Sequence, residues 1–274
     1  MTPEDHKGPP VEAPPYDPAP KPGLVGEPAE LAEEEFRRRT RRSFLVGGSA
    51  ALAGALGWRW LRHTEQEARL AWPVRDGLEA NEGLWRTLHR PSARAATFPV
   101  SRARIPRVNG RVGLDPPLDA AAWRLSVEGP DRQVVGTYTL DGVKALPRHE
   151  LVTELKCVEG WSEVVHWTGA RFSDFVAAIA ETIPARLFRY VSLRTPDEAY
   201  FVALTRAQAM HAQTLLCYEM QGAPLTPPHG APLRLVIPGA YGVKHLKRIG
   251  TIRFAMDRPN DYWALRGYDW YLGH

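Results

Sequence analysis

Two segments of the sequence hold residue types that could do chemistry together. Cys157 begins the run Cys-Val-Glu-Gly-Trp-Ser, and a thiolate is a soft ligand for a metal ion. Residues 229–253 contain five Lys and Arg residues and no Asp or Glu, a composition typical of an anion-binding surface. Gly239 and Gly242 allow the loops around them to present backbone N–H groups to an anion. Together the two segments indicate a soft metal held by an anionic ligand.

The remaining composition excludes several classes of protein. The chain has 274 residues, of which 44% are hydrophobic, and this is enough for a core and for one large or two small domains. Its two cysteines, Cys157 and Cys217, cannot form a disulfide framework, and their wide separation does not fit a zinc finger. Cys217 lies within an apolar run, so we expect it to be a buried, unreactive thiol.

The charged residues are unevenly distributed along the chain. Residues 1–36 carry nine acidic and two basic side chains, a net charge of −7. Residues 37–62 carry seven arginines and no acidic residue, a net charge of +7. Residues 63–274 therefore keep the whole formal net charge of +4. The two basic stretches without acidic residues, 37–62 and 229–253, fit an export segment and an anion-binding surface, so no nucleic-acid partner is expected.

The first 62 residues are predicted to lie outside the folded domain. Nine prolines and little apolar periodicity predict a disordered acidic tail over residues 1–39. Residues 40–45 read Thr-Arg-Arg-Ser-Phe-Leu and resemble a twin-arginine signal, which predicts a periplasmic or cell-envelope protein that uses the export machinery. The uncharged run 43–58 has 16 residues, whereas a membrane-spanning helix needs about 20. Residues 40–62 are therefore expected to be a cleaved signal or a membrane anchor.

The elements that must position Cys157 and the basic segment follow this stretch. We assign residues 63–97 to a linker arm, with a helical composition over 63–71 that Trp72-Pro73 is expected to end. Residues 98–274 read as short strands with few helices and no regular strand–helix alternation, so the predicted fold class is α+β with mixed sheets. The expected strands cover residues 123–128, 151–158, 190–193, 199–204, 215–219 and 233–237. The expected helices cover residues 172–179 and 205–210.

The two chemical segments, taken together, resemble the sulfite-oxidase-fold molybdopterin enzymes. The run after Cys157 and the run His-Gly-Ala-Pro-Leu-Arg-Leu-Val-Ile-Pro over residues 229–238 carry the resemblance, which extends over about residues 100–256. Within that family the segments are most similar to the catalytic subunits of periplasmic methionine sulfoxide reductases. The resemblance implies molybdenum and molybdopterin as cofactors and a sulfite-oxidase-type molybdopterin-binding domain over residues 98–274.

The resemblance also assigns roles to individual residues. It implies that Cys157 is the protein thiolate on molybdenum and the catalytic residue. It implies that His229 and Arg234 contact the pterin cofactor, with Arg234 at its phosphate, because a planar guanidinium matches that oxyanion. The stretch His245, Leu246 and Lys247 would close over the cofactor. Asn109 lies near one further cofactor-binding position of the family, and Arg194 or Thr195 lies near another.

The implied activity is a two-electron oxygen-atom transfer, with reduction of an S-oxide as the expected reaction. Sulfite oxidases proper follow the ligand cysteine with a glycine, an asparagine and arginines, whereas this chain has Val158-Glu159-Gly160-Trp161. That difference disfavours sulfite, although an oxidase of sulfite or of another small molecule remains an alternative. A non-catalytic binding protein that retains the fold is a second alternative. Electrons would be exchanged with a separate partner, for which a membrane cytochrome is one candidate.

Overall fold

The computed structural model describes residues 33–64, 66–67, 70–88, 93–115, 117–181 and 188–274. The chain divides between Arg62 and His63 into two compact units. Most of the predicted acidic tail, residues 1–32, lies outside the described residues, so its disorder stays a prediction.

The first unit is described from residue 33 onward as helix α1 (Glu33–His63), whose last residue already belongs to the second unit. This helix includes residues 33–39, the end of the predicted tail, and the whole predicted export segment 40–62. Its residues 36–60 are all exposed, and Phe44 is 78% exposed. None of the described helices combines the length and the apolar character that crossing a membrane requires.

The second unit is a mixture of short strands and shorter helices. Its strands and α-helices, in chain order, are β1 (Gln66–Glu67), β2 (Leu70–Ala71), α2 (Trp72–Leu88), β3 (Leu125–Glu128), β4 (Val134–Tyr138), α3 (Leu140–Lys144), β5 (Arg148–Lys156), β6 (Ser162–Arg171), α4 (Phe172–Ala178), β7 (Tyr190–Arg194), β8 (Phe201–Thr205), α5 (Arg206–Ala209), β9 (Leu215–Met220), β10 (Ala223–Pro224), β11 (Arg234–Val236) and β12 (Thr251–Ala255). Single 3₁₀ turns cover Val100–Arg102, Pro227–His229, Gly242–Lys244 and Ala264–Arg266.

Two five-stranded sheets form the framework of this unit. The first has the order β10-β9-β6-β5, with β11 also paired to β9, and all of its pairs are antiparallel. The second has the order β4-β3-β12-β7-β8, in which β3 and β12 are parallel and the other pairs are antiparallel. This mixed arrangement confirms the predicted α+β class.

The six predicted strands coincide with β3, β5, β7, β8, β9 and β11 to within a few residues. The predicted strand 151–158 ends earlier than expected, at Lys156, because the chain turns at Cys157. Strands β4, β6 and β12 were not predicted. Residues 164–170 of β6 are intermediate or buried without alternation, so the sequence of this strand lacks the period of two that marks a half-buried strand.

The first sheet is buried on both faces. On β9, Leu216 and Tyr218 point into a large core that also contains side chains from α4 and the second sheet. The alternate residues, Leu215 and Cys217, point into a smaller core with Trp167 of β6. Cys217 is fully buried, and burial raises the pKa of its thiol to about 12, which agrees with the expected unreactive cysteine.

The predicted helix over residues 63–71 is wrong. In the structure β1 and β2 pair with each other within this stretch. Helix α2 begins at Trp72, where the predicted helix was expected to end. The reason is that Pro73 occupies the second position of α2, where a backbone N–H has no partner within the helix and proline is tolerated. The arm then contacts the body of the unit, since the guanidinium of Arg75 donates to the carbonyl of Ala264 at 2.8 Å.

A buried ion pair fastens the C-terminal segment to the sheets. The Lys244 Nζ lies 2.7 Å from Asp261 Oδ2 and 2.9 Å from the Ala203 carbonyl of β8, and both charged side chains are 1% exposed. The Asp261 carboxylate also accepts backbone N–H bonds from Ala203 and Trp263. This pair therefore holds the turn Gly242–Lys244 and the C-terminal segment in one place.

We expect Lys244→Met to lower the free energy of unfolding by about 3–5 kcal/mol, because it leaves the Asp261 carboxylate buried without its counter-charge. Urea unfolding of the full chain, followed by tryptophan fluorescence, measures the change. Lys144→Met makes the same substitution at an exposed lysine and should change the free energy by no more than about 0.5 kcal/mol. Equal effects of the two substitutions would contradict the role assigned to the buried pair.

Candidate functional site

The predicted metal ligand and the predicted anion-binding segment meet at one cavity. The cavity has a volume of about 250 Å³ and opens to solvent. Its walls come from residues 106–112, from the β5–β6 connection, from Tyr200, from residues 229–247 and from the C-terminal segment. Six of the eight predicted site residues line it: Asn109, Cys157, His229, Arg234, His245 and Lys247.

Cys157 lies in the connection between the two strands of the longest hairpin. The Cys157 N–H donates to the Trp161 carbonyl at 2.8 Å, and the Gly160 N–H donates to the Cys157 carbonyl at 3.1 Å. Gly160 has a φ of 85°, a left-handed conformation that favours glycine, so this residue permits the turn. Because Lys156 pairs with Ser162 directly below the turn, the cysteine is held at the end of a rigid hairpin.

The Glu159 carboxylate is held beside Cys157 by three donors. Its Oε2 accepts hydrogen bonds from Arg107 Nη2 at 2.9 Å, from Trp161 Nε1 at 3.1 Å and from Asn109 Nδ2 at 3.1 Å. The hydrogen bonds from Trp161 and Asn109 hold the pKa of Glu159 below its usual range. The guanidinium of Arg107 also lies 4.6 Å from the centre of the Trp161 ring. The cavity mouth thus contains a fixed carboxylate rather than an arginine that is free to receive an anion.

Arg234 brings a positive charge to the base of the cavity. Its side chain is buried, and its guanidinium donates to the carbonyls of His229 at 2.9 Å and His245 at 3.5 Å. The group also lies 4.8 Å from the centre of the Trp167 ring. No described residue accepts a hydrogen bond from its Nε, and burial lowers its pKa to about 10. A buried guanidinium without a carboxylate favours the binding of an anion.

Lys247 connects two of the cavity walls. Its Nζ donates to the carbonyls of Asn109 at 2.5 Å and Pro228 at 2.8 Å. Burial and the nearby Arg234 lower the pKa of Lys247 to about 8. Gly230 makes the close approach possible, because a Cβ at this position would lie 2.8 Å from the Lys247 Cα. The ammonium group therefore fixes the loop that carries Asn109.

The two histidines of the cavity are both kept neutral by their surroundings. Burial, Arg234 and Lys247 lower the pKa of His229. Burial and Arg234 lower the pKa of His245 to about 3. The His245 Nε2 lies 2.9 Å from the Ile237 carbonyl, which can only accept, so Nε2 carries the proton of the neutral ring. Neutral rings are suited to hydrogen bonding with a ligand that already meets positive charge from Arg234.

Two predicted site residues do not line the cavity. Arg194 on β7 forms ion pairs with Glu128 and with Glu198, the latter at 2.9 Å, so the structure gives no support to a role in cofactor binding. The Leu246 side chain is fully buried in the large core. Its carbonyl accepts a hydrogen bond from the Leu235 N–H at 2.8 Å, so Leu246 fixes the backbone between His245 and Lys247.

The lining residues that were not predicted include Arg107, Tyr200, Trp263 and Tyr268. The Tyr200 hydroxyl donates to the Val243 carbonyl at 2.6 Å and accepts from Trp263 Nε1 at 3.0 Å. Burial raises the pKa of Tyr200, so the phenol stays protonated. Residues 262–271 contain five aromatic side chains, and this density of rings is a sequence signal that could have pointed to a cavity wall.

Comparison with known families identifies the cofactor of this chain. The family described as the oxidoreductase molybdopterin binding domain matches residues 113–263, more than half of the chain. The chain belongs to this molybdopterin-binding oxidoreductase family. It is a molybdenum-dependent oxidoreductase with the sulfite-oxidase-type domain, and its cofactors are molybdenum and molybdopterin. The predicted fold, cofactors and enzyme class are thereby confirmed, and the non-catalytic alternative is answered.

Proteins with related sequences are methionine sulfoxide reductase subunits. A protein of Azospira oryzae, provisionally named protein-methionine-sulfoxide reductase subunit YedZ1, is 33% identical over 258 residues, which are 91% of each chain. The protein-methionine-sulfoxide reductase catalytic subunits MsrP of Xanthomonas campestris and Burkholderia mallei are 34% and 35% identical over 158 and 153 residues. These matches cover 53% and 52% of this chain. The chain spans about half the length of these MsrP proteins, 49% and 46%.

Among solved structures, the sulfane dehydrogenase SoxCD of Paracoccus pantotrophus is similar at a TM-score of 0.45 and 17% sequence identity. The similarity covers 52% of this chain and 40% of that chain. It is too distant to inform the site.

The residues around the cavity fit a molybdopterin cofactor. Among the described residues, no group of three or more His, Cys, Asp or Glu side chains could hold a metal ion, so a metal here needs ligands of its own, as the pterin dithiolene provides. Cys157 adds one soft protein donor. Arg234 has an unpartnered Nε and no carboxylate within the described ranges, which suits an anionic phosphate. His229 and Lys247 complete the polar wall.

The low pKa of His245 predicts how stability depends on pH. The unfolded histidine has a pKa near 6.5, whereas the folded value is about 3, so between these values the unfolded chain binds one more proton. Stability is therefore lost as the pH falls below about 6.5, with a slope approaching about 1.4 kcal/mol per pH unit. Urea unfolding of cofactor-free protein between pH 7 and 5 measures this slope.

His245→Gln isolates this contribution, because glutamine keeps a donor for the Ile237 carbonyl but does not titrate. The variant should lose less stability than the parent between pH 7 and 5, although His229 acts in the same direction in both proteins. Parallel curves for the two proteins would show that His245 is not buried in its neutral form.

Proposed function

We propose that this oxidoreductase reduces an S-oxide to a thioether, with protein-bound or free methionine sulfoxide as the substrate class. The overall reaction is R₂SO + 2 e⁻ + 2 H⁺ → R₂S + H₂O. The observation that carries the proposal is the relative of 33% identity that covers 91% of both chains and is named a protein-methionine-sulfoxide reductase subunit. The MsrP relatives carry the same activity in their names.

Cys157 is proposed as the protein ligand of molybdenum. It is the cysteine that lines the cavity, and the other cysteine, Cys217, is buried in a separate core. Bound molybdopterin would supply the oxygen-atom transfer, which no amino-acid side chain performs. Arg234 would hold the anionic end of the cofactor, and His229 and Lys247 would hold the polar walls around it.

The walls beside Cys157 suit a neutral, partly apolar substrate. The rings of Trp161, Trp263 and Tyr268 offer apolar surface to the carbon atoms that flank the sulfur. The carboxylate of Glu159 would repel an anion that approaches Cys157, so sulfite is disfavoured. An S-oxide has no net charge, and its oxygen accepts hydrogen bonds from donors in the cavity.

Cys157→Ser should lower molybdenum content or dye-linked methionine sulfoxide reduction by at least ~100-fold, because even outer residues of metal sites cost 10–100-fold. The assay uses protein produced in a host that makes molybdopterin, with a reduced viologen as electron donor and molybdenum measured by mass spectrometry. Cys217→Ser is the matched control, and it should retain both molybdenum and turnover.

Two results would contradict the proposed reaction. A Cys157→Ser protein that keeps molybdenum and turnover would disprove the ligand assignment. A molybdenum-loaded parent that reduces no S-oxide, but transfers electrons from sulfite to an acceptor, would favour the alternative oxidase.

Electrons for the reaction are proposed to come from a separate partner protein. The family match gives this chain a molybdopterin cofactor, and a relative that covers nearly the whole chain is named a subunit, which suggests that it works with another protein. A membrane cytochrome fits this requirement if the enzyme acts in the cell envelope.

The enzyme is proposed to reach the cell envelope through its twin-arginine segment, carrying a cofactor inserted before export. Arg41 and Arg42 stand on the exposed surface of α1, next to the exposed Phe44 and Leu45. An exposed apolar and basic stretch of this kind is suited to recognition by another protein.

Replacing Arg41 and Arg42 together by lysine should reduce the periplasmic fraction of the full chain by about 10-fold or more in a Gram-negative host, because lysine keeps the charge but not the guanidinium. Cell fractionation and immunoblotting measure the distribution. The same double change at Arg37 and Arg38 is the control and should leave export intact. Unchanged export of both variants would contradict the proposed signal.

A further inference from the structure

The Asn109 side chain contacts the proposed metal ligand directly. Its Nδ2 lies 3.7 Å from Cys157 Sγ and 3.1 Å from Glu159 Oε2. An amide nitrogen carries two hydrogens, so one Nδ2 can donate to both acceptors. The cysteine sulfur therefore has a hydrogen-bond donor on the side that faces Glu159.

The Glu159 carboxylate decides which end of the amide faces the sulfur. An asparagine amide can rotate by half a turn, which would replace its N–H₂ by its oxygen. A carboxylate only accepts hydrogen bonds, so the rotated amide would place its oxygen against Glu159 Oε2 and against the sulfur. The donors Arg107 and Trp161 hold the same Oε2 in place and so favour the orientation in which the Asn109 N–H₂ faces the sulfur.

The backbone of Asn109 is fixed from the opposite side. Lys247 binds the Asn109 carbonyl and the Pro228 carbonyl, which lies in a different wall of the cavity. The amide is thus held at its backbone by Lys247 and at its side chain by Glu159. Its position relative to Cys157 does not depend on the flexibility of the loop.

We propose that Glu159 is a positioning residue that orients Asn109 to donate a hydrogen bond to the Cys157 thiolate and thereby raises the reduction potential of the bound molybdenum. A hydrogen bond to a metal thiolate withdraws electron density from sulfur and stabilises the reduced metal. This inference rests on the proposed ligation of molybdenum by Cys157, but not on the identity of the substrate.

A purely structural role does not account for the arrangement. The Glu159 side chain is 51% exposed, and an exposed ion pair with Arg107 contributes little to stability. All three of its hydrogen bonds nevertheless converge on the one oxygen that faces Asn109. This convergence orients the Asn109 amide beside the sulfur and contributes little to the fold of the hairpin.

The test is a double-mutant cycle on the reduction potential of the molybdenum-loaded enzyme, measured by redox titration with electron paramagnetic resonance. Asn109→Leu should shift the potential to a more negative value, because it removes the N–H donor. Glu159→Leu removes a negative charge as well as the orienting acceptor, and these two effects on the reduction potential have opposite signs. The shift in reduction potential caused by the Glu159 substitution should therefore be more negative in the protein that keeps Asn109 than in the Asn109→Leu protein. The difference between the two shifts measures the orienting effect of Glu159.

Glu154→Leu is the matched control, since it removes a carboxylate from the same hairpin, where Glu154 accepts a hydrogen bond from Ser162 and not from Asn109. Its shift should be the same with and without Asn109→Leu. The thiolate-to-molybdenum charge-transfer band should move to lower energy in Asn109→Leu, which a change in folding alone would not produce.

Equal shifts of Glu159→Leu in the two backgrounds would overturn the proposal, as would an unchanged potential in Asn109→Leu. If Asn109→Leu loses molybdenum, Asn109→Ala replaces it in the cycle. Loss of molybdenum from both would also overturn the proposal, because Asn109 would then hold the cofactor rather than tune the sulfur. Absence of S-oxide reduction by the parent enzyme would refute the proposed substrate and leave these potentials interpretable.

Discussion

The site depends on a positive charge that is buried without a counter-charge of its own. Arg234 lies beneath the cavity, over the Trp167 ring, and within the described part of the chain its guanidinium meets carbonyls but no carboxylate. Burying such a group is unfavourable unless an anion accompanies it. The same charge helps to lower the pKa of His229, His245 and Lys247, so it sets the protonation states of the surrounding wall. An anion bound beside Arg234, as proposed for the anionic end of the cofactor, would supply the missing negative charge.

A second buried cation shows how the same fold treats a charge with a purely structural role. Lys244 lies three residues before Lys247 and is buried like Arg234, but it has Asp261 as a partner. That pair fixes the segment from which Trp263 reaches the cavity and meets the Tyr200 hydroxyl. One buried cation is balanced within the chain and shapes the aromatic wall, whereas the other is left for a ligand to balance.

The sequence predicts the chemically active residues of this site better than it predicts the aromatic residues of the cavity wall. Cys157 and residues 229–247 stand in long, characteristic runs, so their types and spacing indicated one site before any element was placed. Trp263 and Tyr268 are brought to the cavity from the far end of the chain by Asp261, a contact without any sequence period. Arg194 was expected at the cofactor because it falls near a cofactor-binding position of the family, but on β7 its side chain forms ion pairs with Glu128 and Glu198. Pro73 was misread because proline ends a helix only in its interior and is tolerated in the first turn.

In the hairpin that carries Cys157, the lengths of the two strands are constrained, whereas residues of the turn can be substituted. The sulfur's position is set by nine cross-strand pairs between β5 and β6, in a sheet with side chains packed on both faces. Adding or removing one residue in either strand would turn every following side chain to the opposite face. Val158 and Glu159, in contrast, are exposed residues of the turn and can be substituted without altering that register. Substitutions at these two positions therefore change the surface beside Cys157, whereas an insertion within either strand would displace the cysteine itself.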